Sequence, residues 1–162
     1  MALGTPGRRL PVPEEVSGLL ADLLGKPVSV TKAGEVDLAD EDTHYVTGRY
    51  RDDRDRLMCA CIADVSLAAT AGAALALIPR EAVTEAIDAG VLGESLRENF
   101  HEVVNILAKF LNGPTVPHVR LTDLVEGVPE DASKLLTAAT RRRDYDVTVV
   151  GYPGGHLTLL GT

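Results

Sequence analysis

One stretch constrains the fold of this chain more than any other, the segment over residues 92–113, LGESLRENFHEVVNILAKFLNG. Its apolar residues recur at spacings of three and four, which predicts a long amphipathic helix with one buried stripe. Gly113, followed by Pro114, is typical of a helix end. The stripe consists of Leu92, Leu96, Phe100, Val103, Val104, Leu107 and Leu111.

The opposite side of this helix carries a row of polar groups. At 100° per residue, a narrow sector almost opposite Phe100 holds Glu98, Glu102, Asn105 and Lys109, which we call the polar ridge. Asn is an unfavourable residue inside a helix, because its amide competes for backbone hydrogen bonds. Two interpretations of the polar ridge stay open, an ordinary solvated face and a row of groups presented to a partner.

Length and charge bound the class of protein. The 162 residues are enough for one domain, which we place at residues 12–162 behind a flexible N-terminal tail at residues 1–11. The net charge of −8 and the absence of Trp argue against a protein that binds nucleic acid through clustered cations and stacked aromatic rings. The one tight basic run, over residues 141–143, is too short to change that conclusion.

Signals for a membrane, for secretion and for a metal are missing from the sequence. The N-terminus has no apolar segment behind its charges, and the apolar run at residues 65–79 is too short to span a bilayer, so we expect a cytoplasmic protein without membrane contact. Cys59 and Cys61 form a C-x-C that we expect to be two buried, inert thiols. We expect no metal site, because the four histidines lie in separate elements, at His44, His101, His118 and His156.

The remaining periodicity predicts an α+β fold, in which long central helices pack on a mainly antiparallel sheet. Helices are expected over residues 13–24, 67–78, 79–89 and 92–113, with a short helical turn over 132–140. Strands are expected over residues 28–38, 44–51, 56–63 and 118–124 and in a terminal hairpin of 144–150 and 156–160.

Three segments, a predicted strand, an Ala-rich helix and the long helix, follow one another in the order that is found in a known protein family. They read RLMCACIAD at residues 56–64, SLAATAGAAL at 66–75 and HEVVNILA at 101–108, the last carrying a Glu-x-x-Asn pattern. This order of strand, Ala-rich helix and long helix resembles the CheC/CheX/FliY family of chemotaxis phosphatases, and CheX most of all. Members of that family have, at the last place, a helix that reads roughly Gly-Glu-Leu-Ala-Asn-Ile-Ile-Ala.

The resemblance implies an enzyme that hydrolyses the aspartyl phosphate of a CheY-type response regulator. Asn105 would orient the attacking water and Glu102 would dock by pairing with the lysine of the regulator, while Glu98 and Lys109 would add binding contacts. The resemblance implies no cofactor in this chain, since the regulator supplies Mg²⁺, and it implies a homodimer joined through sheet edges. The alternative is a CheX-like module without catalysis, which docks a response regulator or another signalling protein.

Three positions depart from the family pattern. Glu98 stands where the family often has Asp or Ser, and His101 replaces a small residue directly before the Glu of the motif. Asp123 stands in the following strand where a Pro is usual. These departures fit either a divergent member with another partner or a member that binds without catalysing.

Overall fold

Residues 7–137 and 140–162 are described by the computed structural model, and in them five helices pack on one six-stranded sheet. The helices are α1 Pro13–Leu24, α2 Val65–Leu75, α3 Arg80–Ala89, α4 Glu94–Leu111 and α5 Glu130–Ser133. The strands are β1 Val28–Lys32, β2 Tyr45–Arg51, β3 Leu57–Asp64, β4 Arg120–Glu126, β5 Arg141–Val149 and β6 Gly155–Gly161. They lie in the order β1-β5-β6-β3-β2-β4, and each neighbouring pair is antiparallel. The predicted α+β class with an antiparallel sheet is confirmed.

Two predicted elements are much shorter in the structure, the first strand and the last helical turn. The first strand, predicted to reach residue 38, ends at Lys32, because the chain then leaves the sheet and crosses its outer face. There Arg142 donates a hydrogen bond to the carbonyl of Val36 at 2.7 Å, and Leu38 is buried. The helical turn predicted over residues 132–140 is the single turn Glu130–Ser133, and residues 138–139 lie outside the described part of the chain.

The sheet has two faces of different character. Its inner face packs against the helices and forms the main core, and strand alternation places Cys59 and Cys61 together there. Both thiols are buried and unpaired, as predicted, and burial raises the pKa of Cys59 to about 11 and that of Cys61 to about 12. The outer face carries a smaller cluster that contains Ala60, Ile62 and Leu160 beneath the crossing chain.

Helix α2 lies unusually close to α4. A Cβ atom on Gly72 would stand 2.5 Å from the backbone oxygen of Leu96, so the two backbones touch where Gly72 has no side chain. At the same level Asn99 donates a hydrogen bond to the carbonyl of Gly72 at 3.0 Å. The Ala-rich sequence of α2 is explained by this contact, which fixes the side of α4 that is buried.

The segment before α1 is part of the fold. Arg8, which we had placed in the flexible tail, is 1% exposed, and its guanidinium donates to backbone carbonyls of Leu111, Pro117 and Thr162. The bond to Leu111 places this cation at the last carbonyl of α4, where the negative end of the helix dipole stabilises a positive charge. Leu10 is buried as well, so the prediction of a flexible tail over residues 1–11 is wrong for Arg8 and Leu10. Residues 1–6 lie outside the described range.

A buried carboxylate ties the two strands of the terminal hairpin together on the outer face. One oxygen of Asp144 accepts from the hydroxyl of Thr158 at 2.8 Å and lies 2.9 Å from Nε2 of His156, and the other accepts from Nε of Arg142 at 2.8 Å. Burial would raise the pKa of Asp144, but the hydrogen bonds from Arg142, Thr158 and His156 outweigh it and hold that pKa below its ordinary value.

We predict that Gly72→Ala and Gly18→Ala have opposite effects on stability, although both glycines lie inside helices. A methyl group on Gly72 collides with the backbone of Leu96, whereas nothing lies within 4 Å of a Cβ on Gly18. Gly72→Ala should lower the free energy of unfolding by about 1–3 kcal/mol. Gly18→Ala should raise it by up to about 1 kcal/mol. Urea denaturation measures both, and equal effects would contradict the close contact of α2 with α4.

We also predict an acid-sensitive stability with a contribution from Asp144. Because the pKa of Asp144 is lowered in the folded state, the unfolded chain takes up the proton first, so this stabilisation is present at neutral pH and is lost below about pH 4. Asp144→Asn should cost about 1.5–3 kcal/mol at pH 7 and should flatten the decline toward acid. Asp88→Asn, at an exposed position on α3, is the control and should leave the pH profile unchanged.

Candidate functional site

The polar ridge lies along the solvent side of α4, as the periodicity predicted. Glu98, Glu102, Asn105 and Lys109 are all exposed, while the predicted stripe on the other side of the helix is buried. At 1.5 Å per residue, the ridge extends over about 16 Å, which is long enough to contact a globular partner along three turns.

Helix α4 is held to the rest of the protein at several levels. The hydroxyl of Tyr50 donates to the carbonyl of Val104 at 2.6 Å, and Arg97 donates to the carbonyl of Leu124. Together with the bond from Asn99 to Gly72 of α2 and the bond from Arg8 to Leu111 at the C-terminal end, these bonds restrain the helix along its length. The ridge is therefore a set of polar groups on a fixed support rather than on a mobile loop.

Three asparagines on or next to α4 have different roles. Asn99 bonds to Gly72, and Asn112 makes two hydrogen bonds with the backbone of Val119, at 2.8 and 3.0 Å. Asn105 is exposed, and its side chain makes no hydrogen bond to any residue that the structure describes. Its carboxamide is thus available to a partner or to water.

The carboxylate of Glu102 lies one turn before Asn105 on the same side of the helix. Within the described residues it has no ion-pair partner. Nζ of Lys109 lies 5.5 Å from the ring centroid of Phe110, an arrangement that leaves the ammonium in solvent. With Glu98 at its start, the ridge therefore presents two anions, an amide and a cation in sequence.

Next to the ridge, Glu98 and His101 border a shallow depression together with Glu94 and Arg97. His101 is exposed, so the bulkier residue at this position of the motif projects toward solvent beside the ridge. Any partner that docks on Glu102 would meet the imidazole of His101.

Asp123 lies away from this site. It faces the outer side of the sheet, where its Oδ1 accepts a hydrogen bond from Nε of Arg49 at 2.8 Å. That hydrogen bond holds the pKa of Asp123 below its ordinary value. Arg49 also pairs with Asp131 of α5 at 3.2 Å. This network is not apparent from the sequence, because it depends on the pairing register of β2 with β4, which places Arg49 opposite Asp123.

The chemistry open to the ridge follows from its groups. A carboxylate can pair with a cation of a partner, and an amide can orient a water molecule through one donor and one acceptor. Among the described residues, no group of three or more His, Cys, Asp or Glu side chains could hold a metal ion. Over the same residues, no helix is both long enough and apolar enough to cross a membrane.

We predict that alanine at Asn99 and at Asn105 affects stability differently. Asn99→Ala removes a half-buried hydrogen bond to Gly72 and should cost about 1 kcal/mol. Asn105→Ala removes no contact within the described chain and replaces Asn by a better helix former, so it should add a few tenths of a kcal/mol, at most about 0.7. Thermal denaturation of both variants checks this, and a destabilised Asn105→Ala would show that the amide has a structural partner.

Comparison with known proteins gives matches in structure and none in sequence. No protein-family model and no curated protein sequence matches the chain. The FliM middle domain from Vibrio alginolyticus superimposes with a TM-score of 0.61 and 9% identity, over 91% of this chain and 86% of that one. The FliG–FliM complex from H. pylori gives a TM-score of 0.58 and 7% identity, over 92% and 85%.

A chain of the CheX–CheY–BeF₃–Mg²⁺ complex from Borrelia burgdorferi also matches, with 14% identity over 91% of this chain and 92% of that one. Its TM-score of 0.39 is too low to establish a common fold, so the FliM middle domains carry the comparison. At identities near 10% such matches show the fold and leave activity open. On these grounds the chain has the fold of the FliM middle domain.

Proposed function

We propose that this protein is a CheX-like phosphatase that hydrolyses the aspartyl phosphate of a CheY-type response regulator. The observation that carries the proposal is Asn105, an asparagine without a partner among the described residues, in the middle of a restrained helix and one turn after an unpaired Glu102. Asn99 and Asn112 are engaged in the fold, so the free amide of Asn105 is not a general property of this helix.

Hydrolysis of an aspartyl phosphate needs few catalytic groups from this protein. An aspartyl phosphate is a mixed anhydride and already reactive, and a regulator that binds Mg²⁺ neutralises the phosphoryl oxygens itself. What a partner must add is a water molecule held in line with the bond that breaks, which is the role of a positioned amide in some GTPases. Asn105 would orient that water, so that hydrolysis gives the free carboxylate of the regulator and inorganic phosphate.

The other ridge residues would fix the complex. Glu102 would pair with a lysine of the regulator, and Glu98 and Lys109 would set the register by their opposite charges at the two ends of the ridge. Exposed pairs of this kind contribute more to orientation and specificity than to affinity. A partner of this class would require a cytoplasmic location, which stays a prediction.

We predict that phosphate release from one regulator of the host is accelerated by this protein, and that the acceleration requires Asn105. The assay uses a panel of response regulators phosphorylated with a small-molecule donor. Asn105→Ala should lower the turnover rate by about 100-fold or more and should leave complex formation intact. Glu102→Gln should weaken the complex, and Glu85→Gln, at an exposed position on α3, is the matched control without effect.

Two results would contradict this proposal. If no regulator in the panel loses phosphate faster, the phosphatase proposal is wrong. If Asn105→Ala has the activity of the parent protein, the amide does not orient the water, whatever else the ridge binds.

The alternative function is a binding module without turnover. It is favoured by the similarity to FliM structures, one of which is a complex of FliG with FliM. On this hypothesis the ridge docks a regulator or another signalling protein, and charge reversal at Glu102 abolishes binding. No variant of the polar ridge then changes the lifetime of the aspartyl phosphate on the regulator. The expected homodimer stays a prediction, for which β1 and β4 are the edge strands available.

A further inference from the structure

The basic run at residues 141–143 is divided by the fold into two parts. Because side chains alternate along a strand, Arg142 points to the outer face of the sheet, where it bonds to Asp144 and Val36. Arg141 and Arg143 point to the other face and are exposed. Two of the three guanidinium groups are therefore left at the surface.

Two further cations stand beside them. One depression is lined by Arg9, Leu10 and the three arginines, and the depression that adjoins it, also bordered by Arg143, is lined by Lys32. We call Arg9, Lys32, Arg141 and Arg143 the basic edge. The acidic residues in the lining are Glu35 and Asp144, of which Asp144 is engaged by Arg142, while Glu15 pairs with Arg9 at 2.6 Å. This surface is positive in a chain whose net charge is −8.

The guanidinium of Arg141 lies against the backbone of Gly7. A Cβ on Gly7 would lie 2.8 Å from Nε of Arg141 and 3.2 Å from its Cζ, so the guanidinium rests directly against this glycine. A side chain held in this way loses less conformational entropy when it binds a ligand than a freely rotating one.

Among the described residues, no strand pairs with the start of β5 on the side of β1. The register of β1 with β5 ends at Lys32 opposite Tyr145, and the carbonyl of Asp144 then accepts from the amide of Ala33 at 2.9 Å. The N–H and C=O groups of successive residues in a strand point to opposite sides, so those of Arg142 point to the same side as those of Asp144. That is the side on which β1 lies, but Arg142 is beyond the end of β1. Strand β6 pairs with this part of β5 on its other side.

We propose that the basic edge binds an extended, acidic segment of a partner protein, which adds as a short strand beside Arg141, Arg142 and Arg143. An added strand would take up the backbone groups of Arg142, as in other cases of strand addition. Its alternate side chains lie about 7 Å apart, the spacing of Arg141 and Arg143 along β5, so carboxylates two residues apart would pair with both guanidinium groups. The negative charge of the rest of the chain disfavours a nucleic acid, which presents an extended row of phosphates.

The test uses the full chain and a fluorescent peptide of alternating Glu and Val, whose binding is followed by anisotropy. We expect binding at low salt that weakens as salt is added. The double variant Arg141→Glu with Arg143→Glu should bind at least about tenfold more weakly, and Gln at both positions should give a smaller loss in the same direction. The double variant Arg54→Glu with Arg80→Glu changes the net charge equally at exposed positions elsewhere and should bind as the parent does.

Two further peptides separate the parts of the proposal. A peptide of alternating Lys and Val should not bind, and a Pro at the centre of the acidic peptide should weaken binding, because it removes the backbone donor of an added strand. The proposal is overturned if the acidic peptide does not bind, if both double variants lose binding alike, or if the Pro peptide binds equally well. Asn105→Ala should bind the acidic peptide normally, which keeps this result separate from the test of the ridge.

Discussion

The close contact between α2 and α4 is the constraint on which the rest of this structure depends. Two helix backbones approach until a single added carbon atom on Gly72 would overlap with Leu96. So close an approach allows one rotation of α4 about its axis, with Phe100 and Val104 inside and Asn105 outside. If α2 carried larger side chains, α4 would have to move away from it, and the ridge would move with the helix.

The bonds around α4 serve the same end. The buried hydroxyl of Tyr50 and the guanidinium of Arg8 each satisfy a backbone carbonyl of this helix, one in its middle and one at its end. A buried arginine is costly unless each of its donors is used, and Arg8 uses three nitrogen atoms on three separate carbonyls. Arg8 thus contributes to the position of a surface about 100 residues later in the chain.

Charge is distributed differently over the two sides of the sheet. On the outer face, acids and bases neutralise one another in pairs, such as Arg49 with Asp123 and Arg142 with Asp144, and these groups hold strands together. On the polar ridge and the basic edge, by contrast, charged groups stand at the surface without full compensation. Unpaired charges of this kind cost the fold little and remain available to partners, which is why both proposals rest on them.

Much of this protein could be predicted from the sequence, because local patterns decide it. The period of 3.6 residues in α4 gave its buried stripe and its ridge, and the alternation of β3 placed both cysteines on one face. The tertiary structure decided what depends on contacts between distant residues. It placed Asp123 opposite Arg49 and away from the ridge, it buried Arg8, and it divided the basic run of β5 between two faces. A periodic pattern records which side of an element is apolar, but not which element lies against it, since pairing register and helix approach are set by the packing of the whole chain.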